Sequence, residues 1–504
     1  MIKVKNNMPN EFDIEALKEK MRELSIPGLS YAVVASGEIV EQQAISLRAD
    51  EEISELTRFQ AASISKPVSA IGIRACAAEK GIGLNDDLRP RFERYGITFS
   101  DFPGEAITLR QLLSHSAGFS VDGFEGYAED RHITTVEILK GVQIDTFYYR
   151  QIDAAMEHAQ LLEDLNKEKY SPIVIKQGDK YFIYGQDGDS YRIKLLQRPE
   201  KIPNPFEKLE FPSIGDGTKA ISEEELTKDM RLDIFRVNGH APHTNNPPVD
   251  ITDKPGKKYK YSGGGITLAQ FLFEKLVERD GLDFNGAMKK YVFDKLGMDA
   301  STFVTPLPGL HSKAHDEKGA PLLTSTGAHV YPESAAAGLW TTPTDLLKVL
   351  AEMERGLKGG PTTVLTPDQI REMLSSQVAI QTRDDGSKIA VGLGFFLNFS
   401  PYDGQLGAFL HEGSNYGFKA NMVALPSAGL SIVIMTNGQR GQELIGVIMK
   451  QFSEKYIDRA KVSVSPGLVE HPSHFLYQPE QSPPLPERKA AKPADDQPKP
   501  APRL

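Results

Sequence analysis

The stretch Phe59 to Ala70, FQAASISKPVSA, decides how the rest of the chain is read. It holds a Ser-x-x-Lys tetrad, Ser63-Ile64-Ser65-Lys66, just ahead of an apolar pattern in which Val68, Ile71, Ala75 and Ala78 fall at helical spacing. Gly81 then stops the helix. Pro67 has no N–H and is tolerated only in a first helical turn, so the helix must begin close to Ser63. That places Ser63 at the positive end of the helix dipole and Lys66 on the same face. A serine hydroxyl becomes nucleophilic when a base takes its proton, and a lysine whose pKa is lowered by burial or a cationic neighbour can be that base. A serine and lysine three apart also arise by chance, so the tetrad needs partners elsewhere in the chain.

The remaining 492 positions of the 504-residue chain bound what those partners can be; there is room for one large enzyme with additions or for two to three domains. A net charge of −10 argues against a nucleic-acid surface. The single cysteine, Cys76, excludes an intramolecular disulfide and reads as a small buried apolar residue. No apolar run is long enough to span a membrane, and MIKVKNNMPNEFDIEALKEKMREL has no secretory h-region. A cytoplasmic address is the default expectation, with signal-independent export left open.

Asp13 to Leu24 reads as an amphipathic helix on Ile14, Leu17, Met21 and Leu24. Leu29 to Val34 and Glu38 to Ser46 read as strands joined at Ser36-Gly37, and Ile107 to Leu113 as a short helix running into SHSAGF. Beyond about residue 140 the character changes. Asp153 to Glu168 reads as a helix, residues 173 to 196 as a three-stranded meander, and ISEEELTKDMRLDIF as a helix with Ser222 and Glu225 in capping-box spacing. In KYKYSGGGITLAQFLFEKL the three glycines after Ser262 place the helix start near Ile266. Phe284 to Leu296 reads as a helix ending at Gly297, and Ala335 to Thr342 as a loop leading to a helix near Pro343, capped by Thr342. Ala390 to Phe399, Phe418 to Leu425 and Leu430 to Thr436 read as strands, and Gly441 to Tyr456 as a closing helix. The expected division is an N-terminal helix (1–24), a main domain in two pieces (25–139 and 236–458), an inserted α+β unit (140–235) and a Pro-rich, disordered tail (459–504).

Several further stretches accompany the tetrad: LLSHSAGF (112–119), Tyr261-Ser262-Gly263, LGMDASTF (296–303), AAGLWTTPTDL (336–346) and HEGSNYGFKA (411–420). In this order they resemble the elements of the serine β-lactamase-like hydrolases, the class C β-lactamase and penicillin-binding protein group in its esterase and D-peptidase branch. The resemblance covers about residues 25–140 and 236–458. It implies an α/β (α+β) β-lactamase/transpeptidase-like fold: an antiparallel sheet flanked by helices, packed on a mostly helical region, with the site in the cleft between.

By that resemblance Ser63 is the nucleophile of an acyl-enzyme, and Lys66 and Tyr261 share the proton traffic. The backbone N–H groups of Ser63 and Ser414 form the oxyanion hole on a strand edge. His411, in the place of the third-motif lysine, is expected to face the cleft, where it contacts substrate or tunes Tyr261. Two cationic neighbours would make the Tyr261 phenolate easier to form. There are two departures. Gly263 carries no side chain where many members have an asparagine that binds the substrate amide. His411-Glu412-Gly413 replaces Lys-Thr-Gly, so no fixed cation awaits a β-lactam carboxylate at neutral pH. Both argue against an efficient β-lactamase and suit an esterase or peptidase. The expected substrate is an ester or a small D-amino-acid-type amide or peptide, with weak action on β-lactams left open.

Blander readings stand beside these. His115 reads as a structural histidine bonded to backbone, and Trp340 either lines the cleft or packs. His311 with His315, and His240 with His243, lack a HExxH context and do not read as a metal site; no cofactor is expected. Glycines 263–265 lack the lysine and Ser/Thr of a phosphate loop. The chain has no Gly-x-Ser-x-Gly elbow, against an α/β-hydrolase. The competing function is a binding or scaffolding protein that keeps the hydrolase fold and offers residues 140–235 to a protein partner.

Overall fold

Alternation along one strand shows how the molecule is layered. In β2 (Gly28–Ala35), Leu29, Tyr31 and Val33 enter one apolar core while Ala32 and Val34 enter a second on the opposite face. A sheet buried on both faces needs helices on both, and each fully buried Val, Leu or Ile contributes roughly 1.5–3 kcal/mol. The computed structural model describes residues 3–4, 12–127, 134–140, 248–305, 309–322, 324 and 326–457, with five strands between 173 and 236.

The strands in chain order are β1 (Lys3–Val4), β2, β3 (Glu38–Ser46), β4 (Phe59–Gln60), β5 (Ile173–Gln177), β6 (Lys180–Asp187), β7 (Ser190–Leu195), β8 (Thr218–Ser222), β9 (Asp233–Arg236), β10 (Trp340–Thr341), β11 (Val378–Thr382), β12 (Lys388–Val391), β13 (Phe396–Phe399), β14 (Leu406–Asn415), β15 (Phe418–Leu425) and β16 (Leu430–Thr436). The main sheet runs β1-β3-β2-β16-β15-β14-β13-β12-β11, antiparallel except for the β1–β3 pair. Its N-terminal and C-terminal strands meet where β2 lies beside β16, Ile432 pairing with Val33 and Ile434 with Tyr31. The β-lactamase/transpeptidase-like fold expected from the motifs is therefore the observed one.

One face carries the Ile14–Glu23 and Gly441–Phe452 helices, whose Leu17, Met21, Leu444, Ile445 and Ile448 join Tyr31, Val33 and Ile434. The N-terminal helix, capped by Asp13, thus packs into the same core as the sheet. The other face carries the Ser65–Glu79 helix, apolar nearly all round, and the Pro343–Leu357 helix capped by Thr342. Beyond them lie the Gly263–Val277 helix and the Phe284–Leu296 segment, which ends at Gly297 with φ +66°.

Several local expectations need correction. The helix after Tyr261 begins at Gly263, not Ile266. Ser262 caps it through Gly265 N–H at 2.9 Å, and a Cβ on Gly264 would come within 2.7 Å of Val249 Cγ1. Gly263 and Gly264 stand where other chain segments press on that first turn. Ala390 to Phe399 is two strands; Gly394, with φ +84°, turns the chain so closely against the Ser65–Glu79 helix that a Cβ would meet Ala70 Cβ at 2.8 Å. Ser334–Ala337 forms a helical turn where a loop is expected.

Strands β5 to β9 pair with one another in a second antiparallel sheet, order β8-β7-β6-β5-β9. Its β5-β6-β7 portion is the expected meander. Ile221-Ser222 and Asp233–Phe235, read as helix ends, are strand residues of β8 and β9. The rest of that segment, the expected Asp153–Glu168 helix, His240, His243 and the tail lie outside the described residues. The main chain leaves and returns at adjacent points, since Val249 N–H donates to Leu139 O at 3.0 Å. No helix among the described residues is long and apolar enough to cross a membrane.

Candidate active site

Ser63 sits in a tight turn, Ala62–Ile64, between β4 and the Ser65–Glu79 helix. Ala62, directly before it, has φ +49°, a conformation that costs a residue with a side chain about 1–3 kcal/mol and persists only where the surroundings hold it. Ser65 supplies the hold: its hydroxyl donates to Ala62 O at 2.5 Å and accepts from Leu339 N–H at 2.9 Å. Gly413 supplies the rest. A Cβ there would lie 2.2 Å from Ala61 O, so only glycine lets β14 lie against the turn.

Lys66, one turn on, is 2% exposed. Its Nζ lies 2.9 Å from Ser63 Oγ, 2.8 Å from Ala336 O and 5.0 Å from the centre of the Tyr261 ring. Burial lowers its pKa to about 7, against a smaller opposite pull from Asp122. A lysine whose pKa lies near neutrality is partly neutral there, and a neutral amine at 2.9 Å is within reach of the Ser63 proton.

Tyr261 is held from both sides in sequence. Lys260 N–H donates to His115 O at 2.7 Å, and Ser262 N–H to His115 Nδ1 at 3.1 Å. The His115 ring packs on Tyr261 with centroids 4.5 Å apart. His115 is thus a backbone-bonded structural histidine, as expected, yet it braces the site directly. Desolvation, then Lys66 and His411, hold it well below the usual histidine range. The expected easing of the Tyr261 phenolate is not found. Burial pushes the phenol up, Ser63 offsets part of this, and Asp122 and Glu412 push the same way as burial. The phenol keeps its proton chiefly because burial disfavours its charged form, and the second expected cation is absent as well.

That cation was His411, which does not open onto the cleft: the residue is 1% exposed. Its Nδ1–H donates to Glu412 O at 2.6 Å, and its ring packs on Phe396 and faces Tyr261 at 5.3 and 6.5 Å between centroids. Desolvation and the nearby Lys66 lower its pKa to about 3, so it is a neutral ring. Ser414, three residues on, is exposed. Strand β13 pairs with β14 only as far as Leu410, so among the described residues His411 to Asn415 have no partner strand on that side. Gly263 lies under the 120–124 loop; its N–H donates to Asp122 O at 2.9 Å, and a Cβ would meet Phe124 and Asp122 O. It offers nothing to a ligand because the loop fills the space.

Ser63, Lys66, Tyr261, Gly413 and Ser414 thus converge from three segments, with His411 behind and Gly263 beneath a loop. Sequence reading missed Asp122, whose charge reaches both Lys66 and Tyr261, and the Ala336 carbonyl on Lys66. Nothing in the local pattern singles out either. Trp340 packs, edge-on to Phe418 at 5.5 Å. His315 is buried, with Nδ1 3.0 Å from Asn437 O and Nε2 3.3 Å from Glu51. Among the described residues no cluster of three potential metal ligands exists.

The Beta-lactamase family model matches residues 14–174 and 245–447. The chain belongs to the β-lactamase family. Membership supports serine hydrolase activity in general. Among solved structures, the octameric penicillin-binding protein homologue from Pyrococcus abyssi has a TM-score of 0.52 and 17% identity, over 88% of this chain and 79% of that one. SurE (0.49; 18%; 87% and 74%) and the D-amino acid amidase from Ochrobactrum anthropi SV3 (0.49; 15%; 85% and 93%) are also similar. At these identities the likeness speaks to fold alone. No curated protein matches the chain.

Proposed function

We propose that this β-lactamase family member is a serine hydrolase that works through an acyl-enzyme on Ser63, cleaving a small ester or D-amino-acid-type amide or peptide. The observation that carries the reading is the buried Lys66 amine, 2.9 Å from Ser63 Oγ with its pKa lowered to about 7. Neutral Lys66 takes the serine proton as Oγ attacks the carbonyl. The oxyanion forms toward the N–H groups of Ser63 and Ser414, the latter on the unpaired edge of β14. Protonated Lys66, with the Tyr261 phenol beside it, returns the proton to the leaving group, and water repeats the steps in reverse to release the acid.

The neutral, buried His411 leaves no fixed cation for the carboxylate of a β-lactam, which supports esters and amides over β-lactams. The test is covalent labelling read by intact mass. A fluorophosphonate probe should add once to the wild type and not to Ser63→Ala, while Lys66→Ala should label at least a hundredfold more slowly. A penicillin tested in parallel reports whether peptide-like amides also acylate the site. A folded wild type that takes no fluorophosphonate would overturn the hydrolase reading in favour of a binding protein that retains the fold.

A further inference from the structure

The 120–124 loop is clamped onto the second motif. Ser262 Oγ donates to Ser120 O at 2.8 Å, Gly263 N–H to Asp122 O at 2.9 Å and Gly264 N–H to Val121 O at 3.0 Å. Asp122 is therefore seated immediately over the turn that follows Tyr261, and it is exposed. Its Oδ1 accepts only its neighbour's N–H, from Gly123 at 2.9 Å, and no cation pairs with it among the described residues. The other charged groups of the site do not compensate. His115 and His411 are buried and neutral, Lys66 is turned inward onto Ser63 and Ala336 O, and Lys260 is paired with Asp253 at 2.6 Å. The carboxylate is felt inside the site, since it opposes the fall in the Lys66 pKa and adds to the rise at Tyr261.

We propose that Asp122 is a specificity-determining residue that selects substrates carrying an ammonium close to the scissile carbonyl, such as an amino-acid ester or amide with a free α-amino group, and disfavours those carrying a carboxylate there. The proposal rests on the acyl-enzyme reading above and names the substrate class of that same site. An ammonium next to the carbonyl would find, beside the turn after Tyr261, a carboxylate that no cation of the described residues pairs with, and an anion would find repulsion that no cation of the described residues offsets.

The test compares p-nitrophenyl esters of alanine (both enantiomers), propionic acid and succinic acid, each corrected for spontaneous hydrolysis. In the wild type, kcat/KM should rank ammonium over neutral over anionic. Asp122→Asn should lower the ammonium-to-neutral ratio roughly threefold to tenfold, chiefly through KM, and Asp122→Lys should favour the succinyl ester. Removing the carboxylate should also move the acid limb of kcat/KM to lower pH, because Asp122 supports the protonated form of Lys66. A ratio unchanged in both variants would overturn the proposal while leaving the hydrolase intact. Loss of fluorophosphonate labelling in the wild type would sink the acyl-enzyme reading and this proposal with it.

Discussion

At the scale of single residues, the site depends on keeping one amine dry. Burial lowers Lys66 to about 7, so the reactive, neutral form grows as pH rises through that value. The acid limb of kcat/KM for a neutral ester should therefore titrate near pH 7, with activity lost below it. Lys66→Arg, which cannot lose its proton, should abolish the limb along with ~10³-fold or more of the activity. A limb near the ordinary carboxylate range would assign the base elsewhere. Gly413 offers a second test. An alanine Cβ 2.2 Å from Ala61 O must push β14 or the Ser63 turn away. Gly413→Ala should stay folded, lose about 1–3 kcal/mol in urea melts, and label with fluorophosphonate at least tenfold more slowly. Retained labelling would show that the strand edge and the turn need not touch.

Elements carry the second level of organisation, chiefly through their ends. The Gly263–Val277 helix starts directly after Tyr261, so its cap fixes where the phenol sits. Ser262 Oγ accepts from Gly265 N–H at 2.9 Å and donates to Ser120 O at 2.8 Å, tying helix, motif and loop through one hydroxyl. Ser262→Ala should cost about 1–2 kcal/mol in urea melts, near the upper end for caps because the donor side is lost as well. Ser262→Thr should restore most of it. A cost near zero would mean that the loop holds the turn without the cap. The same segment shows why local reading fails. Three consecutive glycines weaken a helix intrinsically, but Phe124 and Asp122 O crowd Gly263 and Val249 crowds Gly264, so the first two positions leave little room for a side chain. Tertiary crowding outweighed propensity.

For the whole molecule, the question is how the excursion between Leu139 and Val249, whose first part up to residue 174 lies within the family match, relates to the site. Leu139 and Val249 are joined by a backbone hydrogen bond of 3.0 Å, and the five strands between them pair with each other. Residues 141–247 should therefore be replaceable by a short Gly/Ser linker. That variant should remain soluble, melt cooperatively and still take a fluorophosphonate on Ser63. Limited proteolysis of the full chain should cut near the edges of the same segment. Failure of the shortened protein to fold would show that the segment is part of the main body rather than an independent unit.

Whatever could be recognised locally was already present in the sequence. The Ser63–Lys66 spacing ahead of Pro67, the Thr342 cap, the β2–β3 hairpin and the ordered motifs all depend on residues within a few positions of one another. They were sufficient for the fold and for Ser63, Lys66 and Tyr261 as candidates. Protonation and proximity were not legible, because both depend on what distant segments exclude from water. His411 was expected as a cleft-facing group and is instead a buried neutral ring, while Tyr261 is driven toward the phenol for the same reason. Asp122 has no local signature; it matters only because Ser262, Gly263 and Gly264, more than 130 positions away, bond to its loop. Short-range patterns name the reacting groups, and the folded packing sets their charge, since desolvation belongs to no single stretch of chain.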